Sequence, residues 1–187
     1  MNLLNAGCGT HYAAGWVNTD VWVNEETTPD VLVDPGGRYP FEDDTFDAIY
    51  LGHVLEHIPW PEVPAFLREM GRIAKPGAAM LAVGPDTVRT LSLWRENRIP
   101  DWLLEAVIEH QQVDPEDPQV PFWPGAAHHW NCHEARVAEV LAHVGFTSIT
   151  PVSEEICDRW SDPHVAGIDW PVVGWAQWQF ALRFNAY

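Results

Sequence analysis

Apolar runs and polar breaks divide the chain into alternating strands and connections. Residues 1–6, MNLLNA, predict a short first strand. The β-branched and aromatic content of 15–23, GWVNTDVWV, predicts a second. DVLVD at 30–34 is an apolar run closed by an acid, and TFDAIYLGHV at 45–54 is a fourth strand. The period then changes. In 60–74 the apolar residues Val63, Phe66, Leu67, Met70, Ile73 and Ala74 recur at helical spacing, which predicts an amphipathic helix. Lys75-Pro76-Gly77 reads as its stop, because proline cannot continue a helix and glycine turns the chain. A fifth strand follows at 78–84.

After Pro85 the pattern loosens. Residues 87–98 and 101–112 read as helices, and 113–131, with four prolines, as a loop or lid. CHEARVAEVLAHVG at 132–145 predicts a helix with Gly145 just past its end, and 146–153 a sixth strand. A second irregular stretch covers 154–174. In the segment after it, Trp178, Phe180, Leu182 and Phe184 alternate with Gln177, Gln179, Arg183 and Asn185, which predicts a seventh strand with one polar face. Strand and connection alternate over the first half, so the sheet is expected to be mostly parallel.

Chemistry enters at the first strand's end, LLNAGCGTHYAAGWVNTD, residues 3–20. Gly7 and Gly9 let the backbone turn sharply and approach a ligand, although a tight turn after a strand uses the same residues. The loop falls at the carboxyl edge of the sheet, where open α/β folds bind ligands. A dinucleotide fingerprint needs a third glycine, a full helix and an acid about 20 residues on. Here His11 stands near the third glycine's place, Asp20 follows soon after, and the gap holds no pyrophosphate-facing helix.

The ordered set matches another family better. LLNAGCGT resembles the first motif of class I S-adenosylmethionine (SAM) dependent methyltransferases of the type 11 kind, and WVNTD resembles their second strand with its ribose acid. DPGGRYPFEDDTFDAIYLGHVLEHIPWPEVPAFLREMGRIAKPGAAMLAV resembles their middle block. HEARVAEVLAHVGFTSI, residues 133–149, is similar to their late helix and strand. The resemblance implies a single α/β domain over 1–187. Its Rossmann-like sheet would have seven mostly parallel strands flanked by helices, the last antiparallel, with the first crossover helix reduced or absent. Substrate or lid insertions would fall at about 85–131 and 154–174. It also implies that Asn5, Ala6, Gly7, Cys8 and Gly9 pass beside the methionyl part of SAM. Asp20, with Val21, would take the ribose hydroxyls, and Asp34 would face the adenine amino group. Leu51, Gly52 and His53 would form the floor. Asn5 stands where many relatives carry Asp or Glu, so it would meet the SAM amino group as a neutral amide.

Charge narrows the acceptor. Ten Lys and Arg stand against 27 Asp and Glu, for a net −17. That balance disfavours nucleic acid and anionic membrane, which basic patches bind. No long apolar run or signal-type N-terminus is present, and the three cysteines are far apart, so a cytoplasmic protein without a disulfide framework is expected. Eleven tryptophans are mostly packing residues, but Trp123, Trp130, Trp160 and Trp170 lie in irregular sequence where pocket walls are built. A neutral or cationic small-molecule acceptor fits this composition. The last strand's polar face is a candidate homodimer surface.

Methyl transfer from a sulfonium requires alignment, and a base only where the acceptor must lose a proton. His53, at the end of the fourth strand, and His129, in HHWNCH at 128–133, are the candidate catalytic residues. Asp86 is a further pocket candidate. Glu56 and His57 read as structural. The spacing in HHWNCH fits no common zinc motif, so no metal is expected there. Instead Asn131 or Cys132 would start a helix, while His128, His129 and Trp130 project into the acceptor pocket. A SAM-binding regulatory or assembly protein with this fold is the alternative to an enzyme.

Overall fold

The computed structural model describes residues 1–23, 28–34, 36–101, 104, 107–108, 128–151 and 177–183, the last two strands at backbone level. Strands β1 (Leu3–Ala6), β2 (Val17–Asp20), β3 (Val31–Leu32), β4 (Phe46–Gly52), β5 (Ala74–Pro85), β6 (Thr147–Pro151) and β7 (Gln177–Arg183) join in one sheet of order β3-β2-β1-β4-β5-β7-β6. β1 pairs in parallel with β2 and β4, β2 with β3, and β4 with β5. β7 runs antiparallel to β5 and β6. The mostly parallel α/β sheet expected from the sequence is therefore present. The helices are α1 (Val63–Ile73), α2 (Thr87–Arg95) and α3 (Glu134–His143). Among the described residues no helix is long and apolar enough to cross a membrane.

The core lies where α1 and α3 cover one face of the sheet. α1 buries Val63, Phe66, Leu67, Met70 and Ile73, the helical stripe read from the sequence. They pack with Leu4, Ile49, Leu51 and Met80 from the strands and with Val137, Val140 and Leu141 from α3. Full burial of one such side chain contributes about 1.5–3 kcal/mol, so this apolar layer dominates the energetics of the middle of the chain.

The Lys75-Pro76-Gly77 triplet departs from its expected role. The helix does end at Ile73, but Ala74 is already extended at φ −78° and ψ 138°. β5 therefore starts at Ala74, and the triplet lies inside it. The pairing jumps from Phe46 opposite Ala74 to Ala48 opposite Ala79, so the triplet is the excess chain of an irregularity in the ladder. Gly77, at φ 76°, takes the left-handed conformation that the irregularity needs. Lys75 Nζ reaches Asp47 Oδ1 at 2.7 Å beside it.

Between β1 and β2, residues 7–16 contain turns and no helix. The helix expected over 101–112 falls largely outside the described residues. So do 113–127, 154–174 with Trp123, Trp160 and Trp170, and the side chains of the last strand's polar face.

Candidate functional site

The loop after β1 turns its amides inward. Gly7 N–H and Cys8 N–H both donate to the Thr19 carbonyl, at 2.8 and 2.9 Å. Gly9 N–H donates to Asp20 Oδ2 at 2.6 Å. The other Asp20 oxygen accepts the Val21 N–H at 2.7 Å. A phosphate cradle presents such amides outward to an anion. Here all three are spent on β2, which suits a ligand that brings donors rather than one that brings phosphate. Asp20 is 7% exposed and keeps lone pairs beyond its two backbone bonds, since an ionised carboxylate accepts about four.

The glycines at 7 and 9 are needed for different reasons. Gly7 has φ 73°, and a Cβ built there would meet Val54 Cγ2 at 2.5 Å. Gly9 has φ 52°, and an added Cβ there would meet nothing within 4 Å. Gly7 thus brings the loop against the segment after β4, while Gly9 borders open space. Cys8 is buried, and burial followed by the nearby Asp20 charge pushes its thiol up to about 11. It stays a neutral packing group at physiological pH.

Asn5 has a different role from the one expected. Its amide nitrogen donates to the His11 carbonyl at 2.9 Å and to Asn18 Oδ1 at 3.0 Å. Asn18, fully buried, is the hub the sequence reading missed. Its Oδ1 also accepts the Ala13 N–H, and its Nδ2 donates to the carbonyls of Ala13 and Trp16 and to Asp30 Oδ2. Asp30 accepts Asn18 N–H on the same oxygen and Tyr12 Oη–H on the other. These polar contacts hold the short connection where relatives are expected to have a helix. An asparagine within a strand of alternating pattern gives no signal of such a role. Asp34, beyond β3, is exposed and accepts the Gly36 N–H at 3.0 Å.

At the end of β4, Ala6 and Leu51 are buried neighbours in register. Gly52 has no room for a side chain, since an added Cβ would meet the Tyr50 ring at 2.5 Å. His53 follows at φ 56°, an unusual backbone for a residue with a Cβ. Its N–H donates to the Val83 carbonyl at 2.8 Å, and its Nδ1 lies 3.0 Å from Glu56 Oε1. Glu56, in a 3₁₀ turn at Leu55–His57, is wholly buried. Burial alone would raise its carboxyl pKa, but the His53 hydrogen bond and the fields of His53, His57 and His128 outweigh that and lower it. Glu56 is ionised and fixes the His53 ring.

HHWNCH is divided among several tasks. His128 stacks edge-on against His57, with ring centroids 4.9 Å apart. His129 has an exposed side chain, and its N–H donates to the Glu56 carbonyl at 2.8 Å. Trp130 belongs to the core rather than to a pocket wall: it is 5% exposed and its Nε1–H donates to the Leu55 carbonyl. Arg136 lies 3.9 Å over the Trp60 ring, which in turn packs on Trp130. The helix start moves as well. His133, not Asn131 or Cys132, caps α3, its ring accepting the Arg136 N–H. Asp86 is also a cap, with Oδ1 on Arg89 N–H of α2 and Oδ2 on Glu134 N–H of α3. That role explains its burial without a ligand.

Residues 4–82 match the family model described as a methyltransferase domain. Solved structures share the fold at low identity. One is a SAM-dependent methyltransferase from Archaeoglobus fulgidus, 14% identical, with TM-score 0.57 over 97% of this chain and 85% of that one. Another, from Methanosarcina mazei, is 17% identical, with TM-score 0.56 over 98% of this chain and 92% of that one. A third, from Aquifex aeolicus, has TM-score 0.56 at 14% identity, over 98% and 82%. The glycine turn, the held acid after β2 and the mostly parallel sheet agree with those comparisons: residues 4–82 are similar to a methyltransferase domain, and the chain shares the fold of solved SAM-dependent methyltransferases.

Proposed function

We propose that the protein transfers the methyl group of SAM to a small-molecule acceptor. The observation that carries this reading is His53, held at the carboxyl edge of β4 in a left-handed backbone by Val83 and by buried Glu56. Strain of that kind costs on the order of 1–3 kcal/mol and persists where the surroundings enforce it, often at reactive sites.

The residues around this turn suit SAM. Bound SAM supplies an electrophilic methyl group on a positively charged sulfur. The carbonyls of the Gly7–Gly9 turn suit its ammonium, because the amides of that turn already serve β2. Asp20 would hold the ribose hydroxyls through its remaining lone pairs, with Val21 beside it. Ala6, Leu51 and Gly52 would form the floor, and Asp34 would accept from the adenine amino group. Asn5 supports this site from behind through its amide nitrogen, which is bound to His11 and Asn18.

Glu56 accepts the Nδ1–H of His53, which places the Nε2 lone pair on the far side of the ring. That nitrogen is buried, so an acceptor hydroxyl or ammonium would lose its proton there once the groups covering it move aside. His129, exposed next to this turn, would contact the acceptor from the other side. The net charge of −17 favours neutral or cationic acceptors over polyanions. The test is methyl release from labelled SAM over a panel of small hydroxylated and amine acceptors. Turnover with at least one acceptor, reduced at least a hundredfold in His53→Asn with SAM binding intact, is expected. A His53→Asn enzyme with undiminished turnover contradicts the assignment of His53.

A further inference from the structure

Glu56, His57 and His128 converge at the turn after β4. Their candidate ligand atoms all lie within 4.8 Å of one another. Glu56 is fully buried, and its Oε2 has no hydrogen-bond partner among the described residues. Its other oxygen is engaged by His53. A buried carboxylate oxygen left without a partner is costly, and two imidazoles stand beside this one. His128 Nδ1 lies 3.2 Å from the Val107 carbonyl, so that nitrogen carries the proton and Nε2 carries the lone pair. Metal-bound histidines commonly show this arrangement, with the non-ligating N–H donated to a backbone carbonyl.

From these contacts we infer that Glu56 Oε2, His57 and His128 Nε2 form a binding site for a divalent transition-metal cation of the zinc type. Two imidazoles and one carboxylate suit zinc rather than magnesium or calcium, which prefer oxygen ligands throughout. Zinc bonds of about 2.0–2.2 Å place neighbouring ligand atoms roughly 3.3 Å apart in a tetrahedron. The present cluster, with ligand atoms up to 4.8 Å apart, would have to contract to that spacing on binding. The cation would neutralise Glu56 without displacing His53 from Oε1. It would also clip the chain just before α3 to the turn after β4, a join already made by His129 N–H on the Glu56 carbonyl and Trp130 on the Leu55 carbonyl. The fourth position would hold water. The HHWNCH motif contributes one ligand, and the other two come from LEHI, which is why the motif alone fits no zinc spacing.

The experiment uses the untagged full chain, stripped with a chelator and titrated with zinc by calorimetry and with Co²⁺ by visible absorption. One zinc per chain is expected with a dissociation constant below micromolar. The Co²⁺ form should show the strong visible bands of a four-coordinate site. His128→Gln is expected to weaken zinc at least a hundredfold, and His57→Gln likewise, while His129→Gln and His143→Gln leave it unchanged. The same samples are titrated with SAM, so loss of one binding event is separated from loss of the other. Absence of stoichiometric zinc binding by the wild-type chain overturns the site. Equal zinc affinity in the His128→Gln and His129→Gln chains overturns it too, as does a Co²⁺ spectrum like that of the hydrated ion.

Discussion

Two neighbouring parts of the sheet are held together by different physics. The middle block, from β4 through α1 to β5, is a layer of apolar side chains: Phe46, Ile49, Leu67, Met70, Ile73 and Met80 are all at most 2% exposed. The connection from β1 to β2 buries one large apolar side chain, Trp16, against Ala48, Tyr50, Leu81 and Val83, and is otherwise mostly polar. It is fixed by directional bonds that converge on Asn18, with Asn5 and Asp30 as partners, and by the Gly9 N–H on Asp20. Apolar packing is non-directional and tolerates repacking, whereas a buried polar hub fails when one member leaves others unpaired. The block that stabilises the fold and the loop proposed to hold the ligand are therefore separable by mutation.

The largest stability effect should come from the apolar side. Leu67→Ala is expected to cost about 3 kcal/mol and lower Tm by roughly 6–12 °C, while the folded fraction keeps its SAM affinity. Asn18→Ala should cost less, about 2 kcal/mol, yet weaken SAM at least tenfold because Asn5 and the Ala13 turn lose their partner. Calorimetry beside thermal unfolding reads both quantities. If the two variants move stability and SAM affinity in the same proportion, the separation is wrong.

Gly7 tests the seam between the regions. Gly7→Ala meets both an unfavourable backbone and Val54 Cγ2, so SAM affinity and Tm should both fall, with about 1–2 kcal/mol from the backbone alone. Adding Val54→Ala removes the collision but not the φ cost, so the double variant should recover part of the loss. Recovery of none, measured in a double-mutant cycle, would remove the steric argument.

How far these regions were legible in the sequence follows the same division. The stripe Val63, Phe66, Leu67, Met70 and Ile73 has a period, and the period alone located α1. The glycine turn and Asp20 were legible because backbone freedom and a strand-end acid are local features. Asn18 was not, since its partners at 5, 13, 16 and 30 become neighbours only once β1, β2 and β3 align. The pairing of His128 with Glu56 and His57 joins sites far apart in the chain and has no period at all. Asp86 was a missed local signal: an acid directly before Thr87-Val88-Arg89 is an ordinary helix cap.

The smallest expected effect concerns acid. The Asn18 N–H holds the Asp30 carboxyl below the usual carboxylate range, with further help from the Asn18 and Tyr12 side chains. A depressed folded-state pKa gives stability that is present above the unfolded value, near 4, and is lost as pH falls through the folded value. The wild-type connection should therefore loosen below about pH 4. Asp30→Asn, slightly less stable at pH 7, should show a shallower loss over that interval. Hydrogen exchange at residues 11–18 against residues 63–73 reads this, and parallel acid profiles in the two chains would contradict it.

The central claim is that this shortened loop holds SAM through its glycine turn and Asp20. Calorimetric titration of the wild-type chain and of Asp20→Asn with SAM and S-adenosylhomocysteine tests it most directly. One site per wild-type chain for both ligands is expected, weakened at least tenfold by Asp20→Asn because a charged acceptor is lost. No heat from either ligand, or equal affinity in the two chains, would contradict the account.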